Sequence, residues 1–423
     1  MRKVHYGWVV FAGCCVYSLC GLGLTSNIFG VFMVQAAAGV NAGIGTWAMS
    51  FTLGSVVSIC VTPFWGRAFH KWSINSCLII SSSLIVLRMF GLGLANELWQ
   101  VFAVVMFTGL AGPVIYKMII PILLGNWFDD SIRGRYLSLA TIFSGLGALI
   151  WAPIFALIIQ AVGYRVAYFV DGALIFAALF PFGAFLFKYK PADKGLEPIG
   201  YDPHKAYDNP KEHGNESLEK GTKAKTALKT PAFWLIFVCV TFASVGAAFN
   251  DNMTSIAIEF FGPEYGASQA ALIGSTLIST IAAGNVTAKL AYGFVQDRFG
   301  YKLALRSFII LFGLSFLSWL IFGTLPAMYV GAFLLGTHSA LVSVGLPLCV
   351  RKIFGNKEYA QIWAYLIMLG PALSNLLTSV IAWIYEFAGS NWYAMWFGVA
   401  AVLAILICST FAIRYIDKVK WDA

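Results

Sequence analysis

Twelve apolar runs, each long enough to cross a lipid bilayer, decide what this chain can become. They fall at about 6 to 34, 45 to 65, 75 to 95, 98 to 125, 136 to 161, 166 to 187, 232 to 261, 269 to 292, 303 to 323, 327 to 349, 360 to 386 and 392 to 413. A spanning helix needs about 20 mostly apolar residues, and only helices or closed barrels satisfy every backbone polar group in lipid. These runs lack the two-residue alternation of a barrel strand. The expected fold is therefore an all-α membrane protein of twelve transmembrane helices. Composition agrees, with 59% hydrophobic and only 11% charged residues, against about 25% charged in a soluble domain. A soluble globular protein and a receptor with one anchor are both excluded. The first run opens with Arg2, Lys3 and His5 and later meets Ala36 and Ala38, in the manner of a signal peptide, but it is too long for one and reads as helix 1.

The charges are distributed unevenly. With the N-terminus in the cytoplasm, Arg67, Lys71, Arg133, Arg135, the lysines of the middle loop, Arg298, Lys302, Arg306, Arg351, Lys352, Lys357, Arg414, Lys418 and Lys420 share one side. The other side keeps essentially Arg165. Positive residues collect on the cytoplasmic side, so a multi-pass protein of the cell membrane with both termini in the cytoplasm is expected. The net charge of +9 is explained without nucleic acid. Between about 188 and 230 the apolar runs give way to Lys188, Lys190, Lys194, Pro198, Pro203, Pro210, Glu212 and further lysines, the composition of a solvated linker. It divides the chain into an N-terminal half (1–187), a linker (188–230) and a C-terminal half (231–423).

The two halves overlay with an offset of about 226 residues. Trp8 falls on Trp234, Gly66 on Gly293, Lys71 on Arg298, Phe128 on Phe354 and Gly163 on Gly389. Duplicated bundles are a transporter signature, because a site between them opens to either side as one rocks against the other. The run Gly293, Asp297, Arg298, Gly300, Lys302 resembles the G-x-x-x-D-R-x-G-x-K/R loop of the major facilitator superfamily. That resemblance implies a charge latch for one conformational state. The first-half copy departs from the pattern, with His70 in place of the aspartate. More narrowly, Asn126, Trp127, Phe128, Arg133, Gly134, Gly145 and Gly147 resemble the oxalate:formate antiporters and their monocarboxylate-porter relatives.

An ionisable side chain at mid-membrane costs at least about 2.5 to 3.5 kcal/mol on insertion scales, so each one calls for a partner, a watery cavity or a function. Lys117 lies nine positions before Asn126, roughly 13 Å deep, and Lys289 eight before Asp297, roughly 12 Å deep. The antiporter resemblance places a substrate-binding cation at Lys289 and a matching asparagine at Asn285; the family's second cation, in helix 11, has no counterpart here. The resulting expectation is that Lys117 and Lys289 bind an anion together, with Tyr116, Asn27 and Trp363 on the cavity wall. The alternative is that either lysine snorkels to the interface.

Arg88 and Asp171 lie near the external ends of helices 3 and 6, which the superfamily resemblance places side by side, and read as a structural ion pair. Asn250, Asp251 and Asn252 read as a turn that interrupts helix 7, where Asp251 either caps the broken helix or carries a coupling proton. His338 either couples protons or packs. The eight cysteines read as small core residues. No metal spacing or nucleophile motif stands out, so neither enzymatic chemistry nor a cofactor is expected. The glycine pairs Gly21/Gly23 and Gly145/Gly147 follow no strand and read as close helix packing. The expected activity is secondary transport of a small organic anion, a mono- or dicarboxylate, as antiport or proton symport by a monomer. The alternatives are export of amphipathic or hydrophobic compounds and a transporter-like sensor.

Overall fold

In the computed structural model the described residues are 5–200 and 221–415, without 113, 115–117, 356–357 and 369; some side chains within these helices are also outside the description. The apolar runs form helices, named here α1 (Tyr6–Gly39), α2 (Ile44–Lys71), α3 (Ile74–Leu94), α4 (Leu98–Ala111, resuming as Ile119–Trp127), α5 (Asp130–Val162) and α6 (Tyr164–Leu186). After the middle segment follow α7 (Pro231–Tyr265), α8 (Ala267–Phe299), α9 (Tyr301–Phe322), α10 (Leu325–Phe354), α11 (Tyr359–Met368, resuming as Gly370–Ala388) and α12 (Trp392–Ile413). Ten contain a continuous stretch long and apolar enough to span a membrane, and α4 and α11 supply the shorter apolar helices Leu98–Ala111 and Leu373–Ala388. No strand is present among the described residues.

Contacts divide the chain into two compact units: Met1–Asp202 with Met253–Ser279, and Pro203–Asn252 with Thr280–Ala423. In the first, α3 lies along α6 and α1 along α5. The second approach needs glycine, because a Cβ on Gly23 would come within 2.9 Å of the Gly147 Cα. α1 widens to π-helical turns over Tyr17–Asn27, and the Asn27 amide donates to the Ser144 carbonyl of α5 at 2.8 Å. In the second unit, α7 lies along α12 and α9 along both α10 and α12.

The duplication visible in the sequence has local structural counterparts. Gly163 and Gly389 both take positive φ, 84° and 71°. Phe128 ends α4 by bridging to Ile199 of the middle segment. Its overlay partner Phe354 ends α10, and its carbonyl accepts the Thr222 N–H at 2.7 Å. Both ends of the segment read as a solvated linker are thus fastened to helix termini, which supplies partners for backbone groups the helices cannot satisfy internally.

Asn250, Asp251 and Asn252 do not interrupt α7, which is α-helical from Val245 to Tyr265. The irregularity lies earlier, at Ser244, whose hydroxyl donates to the Val240 carbonyl. Asp251 and Asn252 stay helical while tied sideways to Thr378, and Asn252 also donates to the Ala248 carbonyl one turn back.

Candidate functional site

In the second unit the crossing of α8 on α10 positions the candidate anion-binding face. Gly284 and Gly336 lie where the backbones meet: a Cβ on Gly284 would collide with the Phe333 carbonyl, and one on Gly336 with the Asn285 amide nitrogen. Asn285 follows directly, and Lys289 is one turn further along the same face. Both side chains are half-buried. Among the described residues, no carboxylate or hydrogen-bond acceptor pairs with the Lys289 ammonium.

His338 of α10 lies within electrostatic reach of Lys289. It is buried, its Nδ1 is 2.8 Å from the Leu335 carbonyl oxygen, and its ring fills the space opposite Gly246 and packs on Phe312 with centroids 6.1 Å apart. This is the environment of a packing residue. Trp363 is half-buried on α11. Asp251 meets α11 as well, where its Oδ2 accepts a 3.0 Å hydrogen bond from the Thr378 hydroxyl. Asn252 donates to the Ala248 and Thr378 carbonyls at 2.9 and 3.1 Å. Asp251 is therefore a tie between α7 and α11, not the cap of a broken helix.

The latch sequence is helical almost to its end. Gly293 through Phe299 complete α8, and Gly300, at φ 83°, turns the chain directly into α9. The Arg298 guanidinium lies 5.7 Å from the Phe299 ring centroid, and Lys302 is exposed. The side chain of Asp297 lies outside the described residues.

In the first unit Lys117 and Tyr116 lie outside the described residues. Asn27, expected on the cavity wall, has its amide nitrogen engaged by Ser144. Arg88 and Asp171 do share a place, both lining a small cavity with Thr25, Phe51 and Tyr168. They are within electrostatic reach of each other, but the expected direct ion pair is absent among the described residues: Arg88 Nε and Asp171 Oδ1 are buried without hydrogen-bond partners. The guanidinium instead lies over the Phe51 ring, 4.6 Å from its centroid.

Phe51, Ser144, Thr378 and Gly246 escaped the reading of the sequence. None carries an unusual charge or spacing, and each acts through a partner distant in the chain.

Twelve apolar runs folded as helices, with charged side chains retained among them, define a multi-pass membrane transporter, a class without enzymatic chemistry of its own. The chain belongs to the Major Facilitator Superfamily, which it matches over residues 10–273. Among curated proteins it is 27% identical over 187 residues to the riboflavin transporter MCH5 of Saccharomyces cerevisiae, covering 43% of this chain and 36% of that protein. The match thus spans about a third of the yeast protein. It is 18% identical over 336 residues to the uncharacterized MFS-type transporter YuxJ of Bacillus subtilis, covering 78% and 80% of the two chains. Among solved structures, the nucleoside transporter NupG superposes with a TM-score of 0.72 at 13% identity, over 99% of this chain and 100% of that one. A bacterial homolog of the human lysosomal transporter Spinster gives 0.63 at 14% identity, over 100% of both chains. At these identities the structural likeness establishes the fold alone.

Proposed function

We propose that the protein carries a small organic anion, a mono- or dicarboxylate, across the cell membrane by alternating access between its two six-helix repeats. The observation that carries this reading is Lys289: a half-buried ammonium on an apolar helix, without a counter-charge among the described residues. Such a cation is costly in the empty carrier, and a bound carboxylate relieves it. Asn285, one turn away, offers a neutral amide to orient the same ligand. Trp363 of α11 is a candidate for the wall of this site; Lys117 and Tyr116, expected from the sequence to share it, lie outside the described residues. The motif resemblance to the oxalate:formate antiporters and monocarboxylate porters supports the same substrate class. Exchange of one anion for another requires only this cationic site, whereas symport requires a proton-binding group as well.

The concentration of Lys and Arg on the side of the middle loop and the C-terminus supports cytoplasmic termini. The latch residues Gly293, Asp297, Arg298, Gly300 and Lys302 then lie at the cytoplasmic end of α8, where they hold one conformational state.

A second reading, carriage of a flat aromatic or amphipathic solute, is favoured by the name of the yeast relative, a riboflavin transporter. Counterflow in proteoliposomes separates the two. Vesicles preloaded with oxalate, formate, lactate or succinate should accumulate the same labelled anion, and vesicles preloaded with riboflavin or uridine should not accumulate theirs. Accumulation of riboflavin or uridine, with none of the carboxylates moving, overturns the anion reading. Ligand binding without any counterflow would instead indicate a sensor.

A further inference from the structure

Arg88 and Asp171 occupy the interior of the first unit in an arrangement that anion binding at Lys289 does not use. The carboxylate is 1% exposed, and one of its oxygens has no hydrogen-bond partner; the same holds for the buried Nε of the guanidinium. The cavity that both line measures about 20 Å³, which is room for a single water molecule. Its other walls include Phe51 and the stacked pair Phe32 and Tyr168, whose rings are 4.3 Å apart. Thr25 also lines it, but its hydroxyl donates within α1 to the Gly21 carbonyl.

Size and charge restrict what such a site can take. An organic solute does not fit. A metal cation would face the guanidinium and find no set of oxygen ligands among aromatic walls, and an anion would face the carboxylate. A proton needs neither space nor a coordination shell. We propose that Asp171 is a proton-binding site of the carrier and that Arg88 is the counter-charge it exchanges.

In the ionised state Arg88 and Asp171 offset each other's charge across the cavity. When a proton from the aqueous phase adds to an Asp171 oxygen, no other bond breaks and the pair goes from neutral to a single positive charge. The guanidinium then loses its attraction to α6 and is held by the Phe51 ring of α2, a cation–π contact that does not depend on the carboxylate. Protonation thus leaves the α3 guanidinium with the Phe51 ring of α2 as its remaining partner. The other titratable groups that interact with the carboxylate are Cys20 of α1 and Tyr168 of α6 itself, and Tyr164 lies beside Tyr168. α5, packed along α6, has none between Leu139 and Val162.

The inference does not rest on the anion reading, and its test uses no substrate. Infrared difference spectra of the purified full chain in lipid nanodiscs, taken between acid and alkaline pH, isolate the carbonyl stretch of a buried carboxyl that gains its proton. The wild type should show such a band. Asp171→Asn should lack it, Asp171→Glu should retain it at a displaced frequency, and Arg88→Gln should move its midpoint at least tenfold in proton concentration. A wild type without the band, or a band that persists in Asp171→Asn, overturns the proposal. Should Asp171→Asn fail to fold, the decision falls to the Arg88 and Asp171→Glu variants: a midpoint unmoved in Arg88→Gln, or a frequency unmoved in Asp171→Glu, is equally decisive against it.

Discussion

The Thr378 hydroxyl donates a 3.0 Å hydrogen bond to the Asp251 carboxylate and so ties α11 to α7 across 127 positions of sequence. A carboxylate inside an apolar bundle is tolerated where donors converge on it. Thr378→Val keeps the shape of the side chain and removes the donor, which should cost about 1–3 kcal/mol. Thr378→Ser should be nearly neutral. The unfolding temperatures of the two variants in detergent check this. A Val variant as stable as the wild type would show that Asp251 is held by other groups.

Gly336 stands where α10 meets the backbone of α8, and the same crossing sets the position of Lys289. A Cβ here would run into the Asn285 amide nitrogen. Gly336→Ala should therefore destabilise by about 1–3 kcal/mol as an overpacked contact, and Gly336→Val by more. Because the crossing also aims the candidate site, ligand-induced stabilisation should weaken in the Ala variant even where it folds. A variant indistinguishable from the wild type in both measurements would mean that the helices separate without cost.

Gly163 caps α6 at φ 84° and ψ 160°, a conformation essentially confined to glycine. Gly163→Ala meets no steric obstacle, since nothing lies within 4 Å of the added Cβ. Its cost should therefore be purely conformational, about 1–3 kcal/mol. Equal unfolding temperatures for Gly163→Ala and the wild type would contradict that cost.

The helices were legible in the sequence because lipid as solvent imposes a single requirement on every run, that of length and uniform apolarity. The duplication was legible at Gly163 and Gly389, where a positive φ restricts the residue, and at Phe128 and Phe354, which close the equivalent helices α4 and α10. The apparent break at Asn250–Asn252 misled for a physical reason. Asn and Asp are common at helix breaks, but here Asn252 and Asp251 are held sideways by Thr378, 126 and 127 positions away, and the helix runs on past them. Proximity in an unlike pair was also partly legible. Arg88 and Asp171 do share a cavity, but the ring of Phe51 that holds the guanidinium leaves no mark in the charge pattern. The candidate lysines stood out because charge is rare in these runs, although Lys117 lies outside the described residues.

Replacing Lys289 tests the account most directly. Purified wild type should be stabilised against heat by at least one of oxalate, formate, lactate and succinate, by about 2.7 kcal/mol at a hundredfold excess over the dissociation constant. Lys289→Gln should remain folded and lose that stabilisation, and Lys289→Arg, which keeps the charge, should retain part of it. A glutamine variant that the same anion stabilises as strongly as the wild type would contradict the assignment of Lys289 as the anion-binding cation.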